Sequence, residues 1–168
     1  MPRGLLICGS RSLATCLAAE VWAKRILRRG LMWADAALEG AAEGPDKWMR
    51  QEALALAASG GRAVPFVEYT VEGVRTFWEP HPLDAVRAEG GYRPRRSRWC
   101  PEPNSDPLIR NQAMIKALVN KREQGWSVRV VGLVDGRFLG NRKSGGTNHT
   151  LRLAWDEGID LERLVWRG

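Results

Sequence analysis

The chain has 168 residues, which suits a single domain, and its net charge of +7 comes mainly from arginine. This charge favours an anionic partner such as a nucleotide, a nucleic acid or a membrane surface, although an arginine-rich solvated surface would give the same balance. No stretch approaches the roughly 18 apolar residues of a membrane span. The chain opens without a signal-peptide pattern, so we expect a cytoplasmic protein with no membrane partner.

Cysteine and histidine are too sparse to suggest a metal centre. The three cysteines, Cys8, Cys16 and Cys100, have no metal-ligand spacing, and the chain has only two histidines. An odd number of cysteines without a pattern is typical of a reduced protein of the cytosol. We therefore predict no metal site, and we expect Cys8 to be a small core residue.

The first predicted strand ends in a candidate ligand-binding turn. Four apolar residues follow Gly4 and stop at Gly9, a pattern typical of a strand buried on both faces. Gly9 would let the backbone approach a ligand, Ser10 would cap the next helix, and Arg11 would bind an anion. Ligands bind at the carboxyl ends of such strands in open α/β sheets.

The next elements alternate between helix and strand. Helical spacing predicts a helix over residues 13–29 that Gly30 ends, followed by a short strand over 31–38. A turn rich in small residues then leads to Pro45 and Asp46, which open a helix over 46–58. Asp46 would bind backbone amides or a ribose hydroxyl. A third strand is predicted at 63–67, where Pro65 favours an edge position.

Residues 68–105 form the least regular part, an insertion rich in proline and arginine. Its basic run at 92–99 has aromatic residues at both ends. Such a run could bind phosphates and stack a base on Trp99, or it could be a solvated loop.

The last third again alternates helices with strands. A helix opens near Pro107, carries Arg110 and Asn111 close to its amino terminus, and ends at Gly125. A strand follows at 128–134. The turn Ser144, Gly145, Gly146 and Thr147 then opens a helix that Gly158 ends, and a final strand spans 159–165. Bare amides and hydroxyls at a helix start can hold a phosphate.

This order predicts one α/β domain over residues 1–168, a Rossmann-like doubly wound, mainly parallel sheet of about five strands with helices on both faces. The turns after the strands would share one edge of the sheet. They could therefore form one pocket, although they lie far apart in the sequence.

Four of these turns resemble the YspA-type branch of the SLOG superfamily, Rossmann-like domains related to the LOG proteins and to DNA-processing protein A. The resemblance rests on residues 9–11, 40–46, 110–114 and 145–147 and excludes roughly 68–100. It implies a pocket for a nucleotide or nucleotide-derived ligand. The implied contacts are Gly9, Ser10 and Arg11 on phosphate or ribose, Gly40, Ala41 and Asp46 on the opposite wall, Arg110 and Asn111 orienting the ligand, and Ser144, Gly145, Gly146 and Thr147 on phosphate.

Three functions remain open from the sequence. The resemblance favours a domain that senses or sequesters a nucleotide messenger, for instance in bacterial or phage defence, and that self-associates, with a dimer favoured. A nucleotide hydrolase is an alternative, with Glu43 and Asp46 as candidate catalytic residues. The glycine-rich loop lacks the proline and one glycine of the LOG fingerprint, and the following helix has no acid before Asp156. A third alternative is single-stranded nucleic-acid binding through 92–99.

Overall fold

The computed structural model describes residues 1–40, 42–59, 63–70, 73–77, 107–138 and 145–168. Two short 3-10 helices lie within these ranges, at Arg11–Thr15 and Gly136–Phe138. The longer elements, in chain order, are β1 (Arg3–Gly9), α1 (Leu17–Trp33), β2 (Ala36–Glu39), α2 (Pro45–Ala58), β3 (Phe66–Thr70), β4 (Gly73–Phe77), α3 (Pro107–Glu123), β5 (Ser127–Asp135), α4 (Gly145–Asp156) and β6 (Asp160–Trp166).

The strands form one sheet in the order β4-β3-β2-β1-β5-β6. All neighbouring strands are parallel except the pair of β3 and β4, which is antiparallel. Helices α1 and α2 pack on one face of the sheet, and α3 and α4 pack on the other. The molecule is therefore a Rossmann-like, doubly wound α/β fold, as predicted from the alternation of helices and strands.

Strand β1 lies at the centre of the sheet, and its two faces are buried against different helices. Leu5 and Ile7 belong to the core under α1 and α2, whereas Leu6 and Cys8 belong to the core under α3 and α4. A strand buried on both faces needs apolar residues at every position, which accounts for the uninterrupted apolar run in the sequence.

Three predictions about this half of the sheet are wrong. The predicted helix over 13–29 is a 3-10 helix followed by α1, and α1 continues through Gly30 to Trp33. The strand predicted over 31–38 therefore starts only at Ala36, because residues 31–33 belong to the helix. A Cβ at Gly30 would lie 2.9 Å from Leu5 Cδ2, so this glycine lets the helix approach β1 rather than ending it. Strand β3 is not at the edge, because it lies between β2 and β4. Pro65 precedes the strand, and its carbonyl accepts a hydrogen bond from Ala37 N at 3.0 Å.

The segment predicted as an irregular insertion begins with regular structure. Strand β3 extends to Thr70, and β4 pairs with it from Gly73 to Phe77 as an antiparallel edge strand. The insertion prediction is therefore wrong for residues 68–70 and 73–77. The basic run at 92–99, including Trp99, lies outside the described residues.

Other boundaries agree with the sequence. Helix α3 ends before Gly125, which has φ +90°, and α4 ends before Gly158, which has φ +64°. Both glycines adopt the left-handed conformation that favours helix termination. In the described ranges, no helix has the length and apolar character required to cross a membrane.

Candidate functional site

A cavity of about 580 Å³ opens at the carboxyl end of β1, beside the point where the strand order reverses between β1 and β5. This is the position where open α/β sheets bind their ligands. The residues that line the cavity come from the end of β1 and the 3-10 helix after it, from the turn into α2, from α3, from the 3-10 helix after β5 and from α4: Cys8, Gly9, Ser10, Arg11, Ser12, Thr15, Ala42, Asp46, Arg110, Asn111, Met114, Phe138, Gly146, Thr147 and Thr150.

The turn after β1 is fixed by packing and by one side-chain hydrogen bond. A Cβ at Gly9 would lie 2.2 Å from Pro45 Cγ, so glycine is needed here for α2 to start against the strand end. Ser10 does not cap the following 3-10 helix, contrary to our prediction. Its hydroxyl instead accepts a hydrogen bond from Asp135 N at 3.2 Å, which ties the turn to the end of β5.

Arg11 is the exposed cation of the cavity. It lines the cavity wall, and its guanidinium makes no hydrogen bond or ion pair with any described residue. An arginine presents five donors in a planar fork that matches phosphate and carboxylate groups. Arg11 is therefore available for an anion that enters the cavity.

Asp135 at the end of β5 holds this turn in place. Its carboxylate accepts hydrogen bonds from Ser12 Oγ at 2.8 Å, from Arg137 N and Nε at 3.0 Å, and from Arg137 Nη2 at 2.8 Å. Arg137 also donates to the carbonyl of Ser12. The hydrogen bonds from the Arg137 side chain hold the pKa of this buried carboxyl below its ordinary value.

Asp46 lies in the first turn of α2, directly behind Pro45. Its Oδ2 accepts hydrogen bonds from Gly40 N at 3.1 Å and from Ala42 N at 3.2 Å, which closes the turn between β2 and α2. The other oxygen, Oδ1, is buried without a hydrogen-bond partner. Burial raises the pKa of Asp46 to about 6, although Arg110, the two amides and Arg11 all act in the opposite direction.

Helix α3 contributes a second arginine and an amide. Arg110 is buried and lines the cavity, and its Nε lies 3.2 Å from the position that a Cβ at Gly40 would occupy. Gly40 therefore leaves room for Arg110 and Asp46 to approach the same turn. Asn111 donates a hydrogen bond to the carbonyl of Gly146 at 3.2 Å, which fixes α3 to the start of α4.

The amino terminus of α4 forms another part of the cavity wall. Gly146, Thr147 and Thr150 all line it, and Thr150 Oγ1 donates to the Gly146 carbonyl at 3.1 Å. The first amides of a helix have no partner within the helix and carry the positive end of its dipole. Together with Arg11 and Arg110, they make this cavity suited to a negatively charged group.

Not all predicted site residues reach the cavity. Gly40 is buried behind it, and Glu43 is exposed and forms an ion pair with Lys47. Gly145 is the first residue of α4. The remaining predicted contacts, Ala41, Trp99 and Ser144, lie outside the described residues.

Several cavity residues were not predicted from the sequence. Ser12 and Thr15 line the cavity from the 3-10 helix, and Thr150 lies one turn after Thr147 on the same face of α4. That helical spacing could have identified Thr150. Met114 lies within the 110–114 motif, whereas Phe138 gave no signal in the sequence. Cys8 is in the core as expected, and it also faces the cavity.

No group of histidine, cysteine or acidic side chains suited to a metal ion occurs among the described residues. Comparisons with protein-family models, with curated proteins and with solved structures found no match to this chain. The fold and the cavity therefore define the class of protein, a doubly wound α/β domain with a candidate ligand site at its switch point.

Proposed function

We propose that this protein binds a nucleotide or a nucleotide-derived small molecule in the cavity at the carboxyl ends of its parallel strands. The observation that carries the proposal is Arg11, an arginine without a protein partner in the described ranges, lining the same cavity as the amino terminus of α4. Both features favour a phosphate. The cavity volume of about 580 Å³ is within the range of small-molecule sites.

The remaining wall residues suit the other parts of such a ligand. Arg110 supplies a second positive charge, and Cys8, Met114 and Phe138 offer apolar surface. Asp46 also lines the cavity, and its Oδ1 is buried without a hydrogen-bond partner in the described structure. A phosphate would lie between Arg11 and α4, and the less polar part of the ligand would lie against Met114 and Phe138.

The resemblance to YspA-type SLOG domains supports a more specific proposal. On that analogy, the protein is a cytoplasmic, self-associating sensor or sponge for a nucleotide messenger in bacterial or phage defence. Trp155 is 74% exposed on α4, which is consistent with a dimer surface there.

A nucleotide hydrolase is the alternative, and the geometry selects its candidate residue. Glu43 faces solvent beside Lys47, whereas Asp46 lines the cavity and has a pKa raised to about 6 by burial. A carboxyl with a pKa near neutral is suited to acid–base chemistry. Nucleic-acid binding through 92–99 remains a prediction from the sequence alone.

The test is chromatography of a mixed nucleotide panel, with cyclic and ADP-ribose-type compounds, after incubation with the purified protein. We expect one compound to be depleted and then recovered intact when the protein is denatured. Conversion of a compound to a free base or a new phosphate species would establish the hydrolase instead. If no compound were depleted or converted, both the binding proposal and the hydrolase alternative would be contradicted.

A pair of variants locates the site. Arg11→Gln removes the exposed arginine of the cavity, and we expect it to weaken binding at least about tenfold. Arg25→Gln is the matched control, because Arg25 is also exposed and has no partner among the described residues, but it lies on α1 outside the cavity. Equal binding by wild type and both variants would show that the ligand binds elsewhere.

A further inference from the structure

We propose that an anionic ligand entering this cavity binds together with a proton, which Asp46 takes up. This inference rests on the proposed function, because it concerns how the same cavity responds to an anion. The affinity for the anionic ligand then depends on pH, and one buried carboxyl is responsible for this dependence.

The surroundings of Asp46 make it the group that takes up a proton when an anion binds. Its side chain is 4% exposed, one oxygen is bound by two backbone amides, and the other is buried without a hydrogen-bond partner in the described structure. An ionised carboxylate in such a place has little compensation for its lost hydration. A proton on the free oxygen would remove that cost without disturbing the two amide hydrogen bonds.

The charges around Asp46 come from three neighbouring elements. Arg110 of α3 and Arg11 of the 3-10 helix favour the ionised carboxylate, and Arg110 has the larger effect. The Cys8 thiol of β1 also faces it, and burial keeps the pKa of that thiol above its ordinary value, so the thiol is neutral. Among the described residues, the two arginines are therefore the charges that oppose protonation of Asp46 in the empty cavity.

An anion changes this balance directly. Arg11 and Arg110 line the cavity with Asp46, so an anion bound there offsets their charge and adds a negative charge of its own. Both effects favour the protonated carboxyl. Because the pKa in the empty cavity is about 6, Asp46 is mostly ionised at neutral pH and must gain a proton when the anion binds. By linkage, the affinity must then fall as the pH rises.

The probe for this inference is ADP-ribose, because the charge of its pyrophosphate does not change in the neutral range. We would titrate it calorimetrically into wild type and Asp46→Asn between about pH 5.5 and pH 8.5, in two buffers with different ionisation enthalpies. For wild type we expect proton uptake that approaches one per ligand near neutral pH, and a Kd that rises by roughly fiftyfold across this range. Asp46→Asn should bind with no proton uptake and a constant Kd.

The outcomes separate this inference from the proposed function. Binding by wild type without proton uptake, or the same pH dependence in Asp46→Asn, would overturn the proton coupling and leave nucleotide binding intact. If wild type bound neither ADP-ribose nor any compound of the nucleotide panel, the proposed function would fall as well. If Asp46→Asn folded poorly, the absence of proton uptake by wild type would still overturn the coupling.

Discussion

Two aspartates lie at the carboxyl edge of the sheet, on either side of β1, and their surroundings are opposite. Asp135 at the end of β5 is fully buried, and its carboxylate accepts hydrogen bonds from Ser12 and three nitrogen atoms of Arg137. Asp46 after β2 accepts two backbone amides on one oxygen and none on the other. The pKa of Asp135 is lowered, whereas that of Asp46 is raised to about 6.

The comparison separates two effects on the pKa of a buried carboxyl, the effect of burial and the effect of a paired cation. Charge-assisted hydrogen bonds from Arg137 stabilise the ionised form of Asp135, so it is a permanent charge that fastens the turn carrying Arg11. Asp46 has two amide hydrogen bonds and the longer-range effect of Arg110 and Arg11, and burial outweighs them together. Asp135 is therefore suited to holding the site in place, and Asp46 is suited to changing its protonation when a ligand binds.

The substitution with the largest expected effect is Gly9→Ala, which displaces the start of α2 and with it Asp46. In Gly9→Ala the new Cβ would lie 2.2 Å from Pro45 Cγ, and Pro45 cannot move without shifting the start of α2. We expect a loss of roughly 3 kcal/mol in the free energy of unfolding. The matched control is Gly4→Ala in the same strand, where the nearest atom would be 3.6 Å away. Denaturant unfolding measures both, and equal losses would contradict the close packing described.

Asp46→Asn tests the poised carboxyl through stability. Because the folded pKa is raised, protonation of Asp46 stabilises the native state at low pH, and this contribution is lost as the pH rises through about 6. A difference of about two in pKa corresponds to roughly 3 kcal/mol. Wild type should therefore lose about that much relative to Asp46→Asn between about pH 4 and pH 7. A constant difference across this range would mean that Asp46 does not titrate there.

Asp135→Ala tests the other aspartate. Removing four hydrogen bonds to a buried carboxylate should cost about 2 kcal/mol at neutral pH. Because its folded pKa is lowered, this contribution is present at neutral pH and is lost as the pH falls through the folded pKa. The gap between wild type and variant should therefore narrow in acid, the reverse of the Asp46 result.

The control for Asp135→Ala is Asp160→Ala. Asp160 forms an ion pair of similar length with Arg129, at 2.8 Å, but the two side chains are 62% and 39% exposed. An exposed pair of this kind contributes at most about 1 kcal/mol. If Asp160→Ala destabilised the protein as much as Asp135→Ala, the hydrogen bonds of Asp135 would not be what holds the turn.

The smallest expected effect on stability concerns the part of the cavity wall where α3 contacts the start of α4. Asn111→Ala removes the hydrogen bond to the Gly146 carbonyl and should cost about 1 kcal/mol. It should also weaken ligand binding, because the start of α4 is no longer fixed to α3. Gln112→Ala changes the exposed neighbour and should leave both properties unaltered. Thermal unfolding and the binding assay for Arg11→Gln measure both variants.

Much of the fold could be predicted because it depends on local patterns. The apolar run before Gly9 identified the central strand, Pro107 and Gly125 marked the ends of α3, and alternation of helices and strands identified the fold class. Local patterns gave wrong predictions where the role of a residue depends on a contact with a distant part of the chain. Gly30 lies in the last turn of α1, where Leu5 packs against it, and Pro65 precedes β3, which has β4 beside it at the edge of the sheet.

By itself, the sequence determined which turns carry amides, arginines and an acid, because residue type and the ends of helices and strands are local properties. Only the tertiary structure decided what those groups do. It placed Arg11 beside the cavity without a protein partner among the described residues, directed Glu43 to solvent, and brought Arg137 to Asp135. It also buried Asp46 with one oxygen free. The electrostatic character of a carboxyl depends on burial and on charges from other elements, and neither is encoded in its immediate neighbours.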